Sequence, residues 1–524
     1  MNIKNKGSFY TPIAIAEWLT HRVKANYESS KVVKVLEPSF GDGVFISSLK
    51  SIFGSSNFTL DAVELDSVAY DKVNSKKESN ISLYHEDFLF WDTEVKYDLI
   101  IGNPPYIARK RLADEQADKC KEIHITNGLE NKEVSNIWTS FLIKSASILS
   151  SNGVLAFVLP TELLQVNYSK EIRKYLLKNF DRLEIISFKS LAFQDIEQDT
   201  VILIAYRKPR LDFGLYFAEV SDVAQLSINN LTFLSHHGDH NAKWSSYMLT
   251  EEDMLFIENI SKKCNKISDY CTSVAGIVTA ANSFFIVNQK DVDKYGLRRF
   301  VKQIVQRGIF INGAVEISNS QFEELRVANK PCFILDLNDI SECDFTDGLK
   351  EYLKLGVSQD IHNRYKCKLR KRWYDIPSIW KSEGMFFKRG HKYPKLVVNN
   401  ADVFVTDSAY RIRMKDGYHI KSFSCSFYNS LTLLYSELNG RYYGGGVLEV
   451  TPNEFKSLPI PYSEISESEF TVFSMAFRNK TSIESLVAEN DLKILSSIEG
   501  LTVNDIKRVQ DIYRKVKQRR LRGN

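Results

Sequence analysis

The sequence predicts an α/β protein: a doubly wound, mostly parallel sheet followed by a second domain of α+β character. Three observations predict it. From about residue 32 to residue 207, short runs rich in Val, Ile and Leu alternate with helical stretches, as in βαβ units whose strands are buried on both faces. The longest apolar runs, such as Gly153–Pro160, fall far short of the ~20 residues that a bilayer-spanning helix needs. After Pro209 the rhythm breaks, and from about Lys266 strand and loop signals turn irregular, with aromatic and basic residues interleaved. The domain boundary therefore falls within 240–262.

Composition narrows the class further. The 524 residues carry 69 Lys+Arg against 65 Asp+Glu, a net charge of +4, and 44% are apolar. That is enough to bury a substantial core and excludes a disordered, collagen-like or coiled-coil chain. So balanced a charge means that any nucleic-acid surface must be local. The N-terminus has no apolar core or small-residue cleavage site, so nothing directs secretion. Seven scattered cysteines, without a CxxC, fit a reducing cytoplasm and not a zinc site.

The strand runs fall at 31–38, 58–66, 81–88, 97–106, 153–160, 182–188 and 200–206, with helical periodicity at Ile137–Leu149 and Tyr168–Asn179. Ligands on such sheets bind at the carboxyl ends of the strands. After the first run comes LEPSFGDGVF (36–45), in which Gly41 and Gly43 permit a tight turn and close approach of backbone to a ligand. The third glycine of a dinucleotide fingerprint would fall at position 46, which is Ile46. A cofactor without a pyrophosphate fits better than NAD. The second run ends in Glu64, 23 residues after Gly41, where a carboxylate can accept both hydroxyls of a ribose. The third ends in Asp87-Phe88, an acid able to bind an adenine amino group beside a ring able to cover the base.

The fourth run ends in Asn103-Pro104-Pro105-Tyr106, the sharpest signal in the chain. The two prolines fix φ and remove two N–H donors, so their carbonyls are held outward. The Asn103 side-chain carbonyl and the Pro104 backbone carbonyl make two acceptors for one planar –NH2. Hydrogen bonds of that kind draw the amine toward tetrahedral geometry and free its lone pair for attack. Tyr106 offers a ring face to the heterocycle that carries it. The amine itself stays open: adenine, cytosine, guanine and glutamine all carry one.

In this order of motifs the chain resembles the TaqI-like N6-adenine DNA methyltransferases, the gamma class of type II restriction-modification enzymes. The resemblance covers nearly the whole chain. It implies a Rossmann-like methyltransferase sheet in a catalytic domain, 1–250, and an α+β target-recognition domain, 251–524. GSFYTP (7–12) is similar to the family's N-terminal cofactor segment, which implies that Tyr10, Thr11 and Pro12 touch S-adenosylmethionine. Glu37, with Gly41 and Gly43, would hold the methionine part, Glu64 the ribose, and Asp87 with Phe88 the adenine; Asn103 adjoins the cofactor as well. SNIWTSFLIKSA (135–146), GVLAFVLPTELL (153–164) and FQDIEQDTVILIAY (193–206) follow in the family's order. Phe193 would pack on the face of the target base opposite Tyr106. Further on, VAGIVTAANSFFIV (274–287), VQRGIFING (305–313) and RYYGGGVLEVTPNEFKSLPIPY (441–462) look like the family's recognition domain. Nine residues precede Tyr10, so no fused N-terminal nuclease is expected.

The partner so implied is double-stranded DNA, bound by a monomer, with a separate cognate restriction endonuclease acting at the same site. Residues 361–395 hold eleven Lys and Arg against two Asp and Glu, interleaved with aromatic side chains. Lys368, Arg370, Lys371 and Arg372 are the candidate phosphate contacts. The basic run Arg514–Arg522 is a second, weaker one. A cytosine-C5 enzyme would need a Pro-Cys nucleophile, and only Cys332, far from the cofactor motifs, follows a proline. The rival readings are an RNA or protein-glutamine methyltransferase using the same NPPY site, and a DNA-binding subunit with a decayed catalytic domain.

Overall fold

All seven apolar runs form strands of one sheet. In a computed structural model these are β1 (Val33–Glu37), β2 (Phe58–Glu64), β3 (Ile81–His85), β4 (Tyr97–Gly102), β5 (Leu149–Pro160), β6 (Arg182–Phe188) and β7 (Thr200–Tyr206). The structure describes residues 11–28, 31–74, 78–130, 134–189, 199–209, 211–226, 231–236, 243–377, 379–443 and 446–521. Two compact units divide the chain. The first comprises Met1–Met254 with Tyr443–Gly445, the second Leu255–Tyr442 with Gly446–Asn524.

In the first unit the strand order is β3-β2-β1-β4-β5-β7-β6, extended by β8 (Gly214–Val220) and β9 (Leu234–His236). The strands from β3 to β5 are parallel, and β7 runs antiparallel to β5 and β6. Every residue of β6 and β7 is buried; β7 accordingly reads as an almost continuous apolar run, while β6 carries Arg182 and Glu184 within it. The stretch after Pro209, read as mixed, supplies two more strands at the sheet edge. There β8 lies parallel to β6 and is buried only in part, so its sequence lacks the continuous apolar signal. The helix Ile13–Lys24 packs Trp18 and Leu19 onto this sheet beside Phe45 and Leu49 of the helix Val44–Phe53. Arg22 and Arg182 both donate to the fully buried Glu184 of β6, at 2.6–3.0 Å, so that charge is compensated rather than stranded.

The second unit carries a five-stranded sheet ordered Cys271–Ala275, Ala409–Met414, Gly384–Phe387, Lys395–Asn399, Glu316–Ile317. A four-stranded sheet runs Ile286–Val287, Phe333–Leu335, Val301–Val305, Phe404–Val405. Helices Glu467–Arg478, Ile483–Ile494 and Val503–Leu521 end the chain. The basic tail is less exposed than its sequence suggests. Arg520 is 2% exposed and paired through two nitrogens with the fully buried Glu437, at 2.6 and 2.8 Å, and Lys517 bonds Glu484. Among the described residues no helix is long and apolar enough to cross a membrane.

Candidate active site

Within the sheet β1 has β2 on one side and β4 on the other. The chain leaves these two strands in opposite directions, which opens a crevice at their carboxyl ends. The turn after β1 enters it with Gly41 at φ +53° and Gly43 at φ +79°, a left-handed backbone that glycine adopts without strain. At Gly43 a Cβ would also stand 3.2 Å from Val73 Cγ2. Glu64, at the end of β2, reaches across to this turn. Its Oε2 accepts from Gly41 N and its Oε1 from Asp66 N, each at 2.8 Å. One carboxylate thus orders two strand-end loops and keeps lone pairs for further donors.

Glu37 ends β1 and is 1% exposed, with Oε2 lacking any partner among the described residues. Burial, then the nearby Glu64 and Asp42 carboxylates, pushes its carboxyl well above the usual range. A buried acid of this kind is ready for a cationic partner. Thr11 is buried, and the Pro12 carbonyl accepts from Ile15 N and Ala16 N, starting the first helix. Tyr10 lies outside the described residues.

Asp87 stands just beyond β3. Its Oδ1 accepts from Leu89 N at 2.9 Å and its Oδ2 from Gln116 Nε2 at 2.7 Å. The turn so formed drives the neighbouring ring inward. Phe88 is 2% exposed and packs against Phe141, ring centroids 5.0 Å apart, and Trp91. The Phe88 ring, expected at the cofactor base, is packed in the core.

After β4, Pro104 is buried and Asn103, Pro105 and Tyr106 are half-buried. The Tyr106 hydroxyl sits 2.8 Å from Asn103 Oδ1 and 3.0 Å from the Val158 carbonyl of β5. Burial pushes its pKa well up, so it stays a donor. Ser39 Oγ, from the turn after β1, donates to the Asn103 carbonyl at 3.2 Å. At Gly102 a Cβ would lie 3.4 Å from the Pro38 ring. Two strand ends are therefore drawn together, with Asn103 between them. Phe193 lies outside the described residues.

Three positioning residues escaped sequence reading. Gln116 orients Asp87 from 29 positions away. Lys144, only 9% exposed, donates to the carbonyls of Leu89 and Trp91 and so holds the turn after Asp87. Val158 supplies a backbone carbonyl. The one available signal was Lys144 itself, a lysine amid the apolar face of the helix Trp138–Ser147.

In the second unit the four proposed phosphate contacts part company. Lys368 and Lys371 are exposed. Arg372 is half-buried, pairs with Asp375 at 2.8 Å and donates to the carbonyls of Ile340, Leu337 and Asn338 at 2.6–3.2 Å. Arg370 donates to the carbonyls of Thr279, Val278 and Trp373 at 2.8–3.3 Å. Both guanidiniums close loops by satisfying backbone oxygens.

Residues 30–193 match the family of the Eco57I restriction-modification methylase, and residues 241–495 match the C-terminal domain of the type II methyltransferase M.Eco57I. The type II methyltransferase M.AccI of Acinetobacter calcoaceticus is 24% identical over 479 residues, 86% of this chain and 84% of its own. The modification methylase CviBIII of Paramecium bursaria Chlorella virus NC1A is 31% identical over 198 residues, 36% of this chain and 46% of its own. The Type IIL restriction-modification enzyme MmeI, solved in complex with DNA, shares the fold at a TM-score of 0.60 and 12% identity, over 99% of this chain and 77% of MmeI.

Proposed function

We propose that this chain, a type II restriction-modification methyltransferase related to the Eco57I methylase, transfers a methyl group from S-adenosylmethionine to N6 of an adenine turned out of duplex DNA. One observation carries the reading: the Asn103 amide, clamped by Tyr106, stands at the sheet's switch point beside the loop that Glu64 caps. S-adenosylmethionine, when bound, supplies a methyl group on a positively charged sulfur. The residues present fit that molecule. The unpartnered Glu37 carboxyl suits its ammonium group, Glu64 its ribose hydroxyls and Asp87 its adenine amine, while Gly41 and Gly43 leave the backbone clear. Tyr10, Thr11 and Pro12 join this set by resemblance to the TaqI-like gamma class.

Asn103 Oδ1 and the Pro104 carbonyl accept the two hydrogens of the target amine and set its lone pair toward the methyl group. Turning the base out of the duplex costs roughly a few kcal/mol. Stacking on Tyr106, and on Phe193 from the other face, offsets on the order of 1–3 kcal/mol per base. Most of the acceleration then comes from positioning. Residues 1–250 carry this chemistry. Residues 251–524 recognise the target, with Lys368 and Lys371 on the phosphates. The setting is the cytoplasm, and the enzyme is the protective, monomeric half of a pair with a separate endonuclease.

Incubation with methyl-labelled cofactor and DNA, RNA or glutamine-containing protein tests the reading. Label in DNA, recovered as N6-methyladenine after digestion, is the expected result. Label in RNA or in protein glutamine alone would transfer the NPPY site to the rival substrate.

A further inference from the structure

In the second unit a groove of about 540 Å³ opens between Gln306-Arg307, which follow the strand Val301–Val305, the turn after Phe404–Val405, and Asn282-Ser283 at the end of the loop that begins at Gly276. Its floor is tied together by main chain. Ile277 N donates to the Val405 carbonyl at 2.8 Å and Asp407 N to the Ile277 carbonyl at 3.0 Å. Thr406 Oγ1 and Ser408 Oγ both donate to the Gln306 carbonyl, at 2.8 and 2.9 Å. The approach is so close that a Cβ on Gly276 would lie 2.1 Å from the Thr406 oxygen. Few side-chain motions can deform such a floor.

The lining is polar, and its strongest groups are uncommitted. Arg307 is exposed, and neither its guanidinium nor the Asp407 carboxylate has a hydrogen bond or ion pair among the described residues. Asn282 also lines the groove, its Oδ1 oriented by the Thr279 hydroxyl. The loop carrying it holds Ala280 at φ +70°, a conformation that persists only when its surroundings impose it. Arg364 donates to the Ala280 carbonyl at 3.1 Å and Arg370 to that of Thr279 at 2.8 Å. Both come from the basic segment whose Lys366, Lys368 and Lys371 are exposed.

We propose that this groove reads base edges of the target DNA, with Arg307 and Asp407 as specificity-determining residues for one guanine–cytosine pair. A guanidinium fork matches guanine O6 and N7, and a carboxylate accepts from cytosine N4. The exposed lysines of that segment meet the phosphates and set the register, while the groove supplies the sequence information. The inference rests on the DNA-methyltransferase reading and sharpens it.

The test maps methylated adenines in a random-sequence DNA library treated with the parent enzyme, Arg307→Ala, Arg307→Lys and Asp407→Asn, with cofactor affinity measured by calorimetry. The parent should yield one motif. All three variants should bind cofactor as the parent does, and should lose about ten- to a hundredfold of discrimination at one and the same G·C position. Arg307→Lys belongs with them, since it keeps the charge and loses the fork. An unchanged motif in the Arg307 and Asp407 variants overturns the proposal. So does weakening spread evenly over all sequences with a shallower salt dependence, which would make Arg307 a phosphate contact. A parent that methylates no DNA fails the functional reading itself; a parent with a motif that the variants leave intact fails only this inference.

Discussion

The Tyr106 hydroxyl lies 2.8 Å from Asn103 Oδ1, within the same four-residue turn, and 3.0 Å from the Val158 carbonyl of the neighbouring strand. The ring that stacks on the target base in the proposed function is therefore also the clamp that aims the proposed acceptor. An amide oxygen has two lone pairs, so the tyrosine can fix the side chain and leave it able to accept from an amine.

That double role separates two substitutions. Tyr106→Phe keeps the ring and removes the clamp. Its kcat should fall about tenfold, the size of one hydrogen bond, with DNA affinity unchanged in a binding titration. Asn103→Ala removes the acceptor itself and should abolish measurable methylation, while cofactor and DNA affinities stay within about tenfold. Turnover by Asn103→Ala near that of the parent would take Asn103 out of the reaction.

Glu64 offers a second separation, because it both caps the Gly41 turn and is assigned to the ribose. Glu64→Ala should weaken cofactor binding about tenfold or more in calorimetry, since a charged acceptor bond contributes on the order of 1.5–3 kcal/mol. If affinity holds while only the melting temperature drops, the carboxylate orders the loop and does not touch the cofactor.

The parts of this site legible in the sequence are those at strand ends. Apolar runs locate the strands, and the acids and prolines that follow them locate the loops, so the strand-end placement of Glu64, Asp87 and Asn103 is legible in the sequence. What escaped was sidedness and partnership. Phe88 has the right address at a strand end, but the Asp87 turn points its ring into the core. Arg370 and Arg372 carry the charge expected of phosphate contacts, yet their guanidiniums are bound to loop carbonyls. Charge density in one dimension does not tell an arginine that faces solvent from one that stitches a loop. Arg520, buried against Glu437 in a run that reads as a solvated tail, makes the same point.

Asp491 gives the second unit a pH dependence. It is fully buried and accepts from Ser430 N, Ser430 Oγ and Gln510 Nε2 at 2.6–2.9 Å. Burial outweighs these bonds and pushes its pKa up to about 6, from an ordinary 3.8. A raised acid favours the folded state while protonated, so its contribution is full below about pH 4 and is lost as pH rises through 6. The difference in unfolding free energy between parent and Asp491→Asn should shift against the parent by about 3 kcal/mol across that window. Urea titrations at pH 4 and pH 7 read it directly. A flat difference would mean that Asp491 ionises normally inside the fold.

The exposed lysines and the loop-bound arginines of the 364–372 segment should respond differently to the same change. If Lys368 and Lys371 meet phosphates, each contact adds about one unit to the slope of log affinity against log salt. Lys368→Gln with Lys371→Gln should therefore flatten that slope by up to about two units, weaken target and non-target DNA alike, and leave the melting temperature unchanged. Arg372→Gln should do the opposite. It strips donors from the Leu337, Asn338 and Ile340 carbonyls and frees Asp375, and unsatisfied groups of this kind cost about 1–3 kcal/mol each. The variant should melt several degrees lower, with the salt slope of the surviving folded enzyme intact. A double lysine variant whose slope matches the parent would move the phosphate clamp elsewhere in the second unit.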